Sequence, residues 1–318
     1  MHRSLPFVLL ATLALLGCQR GAPAKVVTNP PVKAATLAEA RQGFKTSLAR
    51  RESANFPSPN PPPNVFTLVK YESPAGKLSA YVTPDPKNSK KNPAIIWITG
   101  GDCNSVDDSI WKNAPINNDQ TAAQYRKAGI VMMFPTLRGG NDNPGVREGF
   151  LGEIDDVIAA AEYLAKLDYV DPARIYLGGH STGGTTVMLV AECSNKFRAT
   201  FSFGPAEDVG LYPDEFTPFN RTDRREVDVR SPGKWLGSIK TPVFVFEGTE
   251  KGSNLHAIQI MARDNSNAKV RFFQVNGAGH FNLLEPLNRH IASKILSDDG
   301  PECNITFTED EINQAFRK

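Results

Sequence analysis

Six compact apolar runs constrain this chain more than any other feature: AIIWIT (94–99), GIVMMFPTL (129–137), ARIYLGGH (173–180), ATFSFGP (199–205), TPVFVFEG (241–248) and AKVRFFQVNG (268–277). Runs of this kind suit strands buried on both faces of a parallel sheet. Helical patterns fall between them at 120–128, 151–167, 183–193, 254–264 and 287–296. Such alternation predicts a mostly parallel, doubly wound α/β sheet with right-handed crossovers. Two earlier segments, VFTLVKYES and KLSAYVTP, read as a leading antiparallel pair, so the body is expected over 65–318. Residues 206–240, rich in charge and aromatics and including Trp235, interrupt the rhythm. They read as an inserted cap, with a plain surface excursion as the other account.

The N-terminal part has a different character. MHRSLPFVLLATLALLGC opens with Arg3, continues with an apolar stretch from Leu5 to Leu16 and ends at Gly17-Cys18, which reads as a secretory signal over 1–17. The apolar stretch falls short of the ~20 residues that a membrane-spanning helix needs. Leu15-Leu16-Gly17-Cys18 resembles a bacterial lipobox, which implies lipid on Cys18. Gln19, not Asp, follows the cysteine, and in Gram-negative bacteria this resembles an outer-membrane sorting signal, with the protein facing the periplasm. The proline-rich stretch PSPNPPPN, after a short helical pattern near Leu37–Arg50, suggests that 18–64 is a tether lifting the body off the membrane.

The strongest local signal is Gly179-His180-Ser181-Thr182-Gly183, directly after the strand RIYLGG and directly before the helical TTVMLVAE. A serine on a tight strand-to-helix turn projects its hydroxyl above the sheet, and the N-terminus of the following helix directs positive potential at it. The alternative, a glycine-rich turn with a bystander serine, does not account for the strand-turn-helix setting. A nucleophilic serine needs a base. His2 lies in the signal, His180 inside the turn, and His256 and His290 within predicted helices, which leaves His280 on the Gly277-Ala278-Gly279 loop.

DPARIYLGGHSTGG, following the helical EIDDVIAAAEYLAKL, closely resembles the catalytic domain of the prolyl-oligopeptidase-like (S9) and dienelactone-hydrolase-like α/β hydrolases, as do FPTLRGG (134–140) and GAGHF (277–281). The likeness covers roughly 75–297. It implies the α/β-hydrolase fold and a Ser-acid-His mechanism, without a cofactor. The large β-propeller that usually precedes the catalytic domain in the peptidases of this family is not expected, because too few residues separate Cys18 from the body. The acid belongs after the strand TPVFVFEG, where the family commonly shows Gly-x-x-Asp. This sequence departs from that pattern, since the matching position is Lys251. Glu250, one residue earlier, is the first choice, with Glu247 and then Asp208 as alternatives. The oxyanion hole is expected from the backbone N–H of Thr182 and from the turn at Gly101, in the place of the family's His-Gly-Gly loop. The 206–240 insertion would then be a lid over the site.

The composition closes off other classes. With 36 basic and 34 acidic residues and no long basic run, the electrostatic footprint of a nucleic-acid binder is missing. Cys103, Cys193 and Cys303 match no zinc spacing, so no metal is expected; an oxidising compartment would permit one disulfide among them. The expectation is a serine hydrolase, esterase or S9-like peptidase, acting on a small ester or peptide. The reading from another class is a lipoprotein that keeps the hydrolase fold as a non-catalytic binding module. Neither the ester-or-peptide choice nor the oligomeric state is legible in the sequence.

Overall fold

The computed structural model of the chain describes residues 34–317, so the signal segment, Cys18 and the first part of the expected tether lie outside the described residues. The elements are α1 (Leu37–Arg41), β1 (Thr67–Ser73), β2 (Gly76–Val82), β3 (Asn92–Ile98), α2 (Ala123–Lys127), β4 (Val131–Pro135), α3 (Glu153–Leu164), β5 (Val170–His180), α4 (Thr182–Cys193), β6 (Thr200–Phe203), α5 (Arg224–Asp228), β7 (Val243–Gly248), α6 (Leu255–Asp264), β8 (Val270–Val275), α7 (Leu284–Ser297) and α8 (Glu309–Arg317), with short 3₁₀ turns between some of them.

The strands form one eight-stranded sheet in the order β1-β2-β4-β3-β5-β6-β7-β8. The first three are antiparallel neighbours and the rest run parallel. This is the mostly parallel, helix-flanked sheet that the apolar runs predicted, and it is consistent with the α/β-hydrolase fold that the resemblance implied. The burial pattern explains why. Every residue of β3 and β7 is buried, and successive side chains of β3 enter opposite cores: Ala94, Ile96 and Ile98 face one, Ile95 and Trp97 the other. A strand with both faces covered has no reason to alternate apolar with polar. The edge strands β1 and β8, by contrast, mix buried with exposed residues.

Two arginines whose side chains are largely buried tie the loops to this frame through ion pairs. Arg138, from the FPTLRGG stretch, donates through Nε and Nη2 to Asp156 of α3, each at 2.9 Å, and through Nη1 to Glu148 at 2.7 Å. Arg198 forks onto Asp298 at 2.7 Å from both Nε and Nη2, joining the start of β6 to the end of α7. Planar guanidinium-carboxylate forks of this kind fix register as well as distance.

Residues 34–64 do not stand off the body as a tether would. Leu37 is fully buried, Arg41 pairs with Asp155 at 2.8 Å, and an isolated bridge joins Leu48 to Phe219. The segment wraps the body as a strap, because its apolar residues have cores to enter even though prolines keep it extended. The 206–240 insertion also differs from expectation. Val209, Phe219, Val227, Val229 and Trp235 are buried in the core shared with α3 and α4, and Phe150 stacks on Tyr212. The insertion packs against the side of the molecule and under the strap.

Candidate active site

Ser181 sits between the last residue of β5 and the first of α4 with φ 56° and ψ −117°. Backbone of this kind costs a non-glycine residue of order 1–3 kcal/mol and persists only where its surroundings impose it. Here Ser181 N–H donates to the Phe203 carbonyl of β6 at 2.7 Å, and its own carbonyl accepts from Thr185 N–H of α4 at 2.9 Å. Gly183 lets the helix come this close: a Cβ there would lie 2.2 Å from the Ile98 carbonyl oxygen. The side chain opens into a cavity of about 550 Å³ whose walls include Gly100, Gly101, Val106, Ile110 and His180.

His280 follows β8, as expected, but its carboxylate partner is Glu247. Nδ1 of His280 lies 2.8 Å from Oε2 of Glu247, whose side chain is fully buried at the end of β7. The carboxylate also accepts from Gly248 N–H at 2.7 Å and Asn254 N–H at 3.0 Å, so its oxygens are well satisfied. With Nδ1–H donating to a carboxylate, the neutral ring carries its free lone pair on Nε2, the form a general base requires. The first choice for the acid, Glu250, is corrected by this geometry. Its side chain is exposed and its N–H is spent on the Ala278 carbonyl at 2.8 Å. Asp208 is elsewhere, capping Gly210 N–H in the insertion and pairing with Arg224. A glutamate has one more methylene than the family's aspartate, so its carboxylate can reach the histidine from inside the strand end.

Gly204, directly after β6, makes room for this pair. Its φ is +57°, and a Cβ would stand 2.5 Å from both Oε2 of Glu247 and Cε1 of His280. No hydrogen bond joins Oγ of Ser181 to His280 in this structure; in ligand-free sites such contacts are commonly long and tighten with substrate.

His180 adds a second imidazole. Its Nε2 donates to the backbone carbonyl of His280 at 2.8 Å, its Nδ1 lies 3.2 Å from the Gln120 side-chain amide, and the two histidine rings are 4.5 Å apart. Burial pushes the His180 pKa down to about 3, with the neighbouring His280 a further cause, so the ring is neutral and its donor is fixed on the base-bearing loop. Sequence reasoning dismissed His180 as part of the turn. It also passed over Asn254, whose Nδ2 holds the Gly204 carbonyl at 2.7 Å.

Thr182 and Gly101 are brought together, since Oγ1 of Thr182 donates to the Gly101 carbonyl at 2.8 Å. The first N–H groups of α4 have no intrahelical acceptor and are available to an anion. None of the cavity-lining residues comes from 206–240, so the insertion does not cover the site as a lid. Cys103, Cys193 and Cys303 are all free thiols.

The chain resembles known proteins over part of its length. Residues 118–250 match the prolyl oligopeptidase family, Peptidase_S9. Prolyl oligopeptidase A of Amanita bisporigera is 31% identical over 157 residues, which is 46% of this chain and 19% of that protein. Among solved structures, a puromycin-hydrolyzing peptidase of Mycobacterium tuberculosis aligns with a TM-score of 0.58 at 18% identity, over 74% of this chain and 39% of that one. Dipeptidyl peptidase 4 of Porphyromonas gingivalis aligns with a TM-score of 0.57 at 17% identity, over 74% and 35%. The chain thus spans well under half the length of these proteins.

Proposed function

From the match of residues 118–250 to the prolyl oligopeptidase family, we propose that the chain is a serine hydrolase of the peptidase type, cleaving a peptide or related acyl bond through an acyl-enzyme. The observation that carries the reading is the 2.8 Å contact between His280 Nδ1 and the buried Glu247, beside a serine in a strained turn at the wall of a cavity. In this reading Oγ of Ser181 attacks the substrate carbonyl carbon while Nε2 of His280 takes the hydroxyl proton. The carbonyl oxygen becomes an oxyanion facing the N–H groups of Thr182 and Gly101. Collapse of the intermediate breaks the scissile bond, and His280 returns its proton to the leaving amine or alkoxide. Water then repeats the sequence on the acyl-enzyme, restoring Ser181. Glu247 keeps the ring in the Nδ1–H tautomer and stabilises the imidazolium without accepting the proton.

The test is covalent labelling by a fluorophosphonate together with turnover of aminoacyl p-nitroanilides and p-nitrophenyl esters. Wild type should be labelled and should turn over, and Ser181→Ala should do neither. An unlabelled wild type would leave a hydrolase fold used as a binding module. We also propose that lipid on Cys18 anchors the protein in the cell envelope, at the outer membrane facing the periplasm. Support comes from the apolar segment ending at Leu15-Leu16-Gly17-Cys18 and from Gln19 after it. Cys18→Ser should move the protein from the membrane fraction to the soluble one; unchanged membrane association would remove the proposal.

A further inference from the structure

Phe56 combines two properties that rarely coincide: it is 44% exposed, and the chain on both sides of it is fastened to the body. Before it, the Glu52 carbonyl accepts from Arg147 N–H at 2.9 Å and Ala54 N–H donates to the Gly139 carbonyl at 2.7 Å. After it, Ser58 Oγ donates to Asp142 at 3.2 Å, and the Pro59 carbonyl accepts from Tyr81 Oη at 2.9 Å. The PSPNPPPN stretch (57–64) that follows Phe56 is stiff by composition, because each proline fixes its own φ. Water therefore meets a phenyl ring that the strap holds in place.

The ring lines the cavity that holds Ser181. Phe281 lines the same cavity, is 46% exposed, and packs edge-on to both histidine rings, at 4.9 Å from His280 and 5.4 Å from His180. Val106 and Ile110 are buried behind the same wall. Two exposed aromatic rings beside a nucleophile, backed by two aliphatic side chains, make a surface that gains by being covered.

We propose that Phe56, carried to the site by the N-terminal strap, forms with Phe281, Val106 and Ile110 the subsite that receives an aromatic or bulky aliphatic substrate group next to the scissile bond. The strap is thereby a specificity-determining part of the enzyme. This rests on the serine-hydrolase reading and names its substrate class. Phe56 touches the substrate's side chain and none of the reacting atoms, so its loss changes selection among substrates and leaves the nucleophile's chemistry in place.

The experiment compares wild type, Phe56→Ala and Phe56→Leu on two substrate series, one varying the acyl side from glycyl to phenylalanyl, the other varying the leaving group from methyl to benzyl. In one series the bulky-over-small ratio of kcat/KM should fall about tenfold in Phe56→Ala, in the range that apolar pocket contacts supply. Phe56→Leu should restore most of it. Equal losses on small and bulky substrates in both series, or no change in either ratio, would overturn the proposal. A wild type that fluorophosphonate fails to label would instead overturn the hydrolase reading, so the two failures are distinguishable.

Discussion

His180 should make the protein's stability depend on pH in a way that one substitution removes. The ring is buried, donates to the His280 carbonyl and faces the His280 ring, behind which lies Glu247. Burial first, and the neighbouring histidine second, lower its pKa to about 3. In the unfolded chain a histidine titrates near 6.5. Between these values the unfolded state binds a proton that the folded state refuses, so stability falls as pH drops below about 6.5, and the loss is complete only near the folded value. Between pH 7 and pH 5 the loss amounts to about 2 kcal/mol. The perturbation is His180→Gln, which keeps an N–H donor near the His280 carbonyl but does not titrate. Urea unfolding of both proteins at pH 7, 6 and 5 isolates the effect, because other titrating groups cancel in the difference. The gap between wild type and variant should shift by about 2 kcal/mol in the variant's favour from pH 7 to pH 5. Parallel pH curves would refute the reasoning and mean that His180 is solvated or charged in the folded state.

Two further outcomes follow from other contacts. Asp298→Asn leaves Arg198 buried without its charge partner and should lower stability by about 3–5 kcal/mol, read as a drop in the urea midpoint at pH 7; a change below about 1 kcal/mol would show that the fork is solvated in solution. Gly204→Ala puts a methyl group within 2.5 Å of Oε2 of Glu247 and of the His280 ring. Displacement of the pair by about 1 Å should cost on the order of 10² in kcat, and circular dichroism should show a retained fold; unchanged turnover would mean that the pair does not work in the position seen here.

The sheet was legible because its central strands are buried on both faces, and AIIWI and VFVF leave no other reading. The nucleophile was legible because its turn needs glycine in a fixed strand-to-helix setting. Glu250 was ranked ahead of Glu247 for a definite reason. Counting from Gly248 looked for a carboxylate in the loop, where an aspartate would have to stand, whereas Glu247 reaches from the strand itself. A signal was present, since a glutamate inside a wholly buried apolar strand is costly without partners, and such residues are seldom bystanders. The strap was illegible for a different reason. Its contacts, Leu37 with Ser238 and Thr46 with Glu226, span most of the chain, and proline-rich composition alone cannot tell an extended segment lying on a surface from one reaching into solvent. The insertion misled in the same way. Its aromatics mark burial, but composition does not say against which face.

The central claim is that Glu247, His280 and Ser181 act as one unit, and the most direct measurement of it is kcat for Glu247→Gln beside Glu250→Gln on one activated amide substrate. Glu247→Gln should retain the fold by circular dichroism and lose up to about 10⁴ in kcat, the scale on which neutralising a triad acid acts. Glu250→Gln, changing only an exposed side chain, should stay within about twofold of wild type. A Glu247→Gln enzyme within tenfold of wild type, or a Glu250→Gln enzyme that falls as far, would contradict the account.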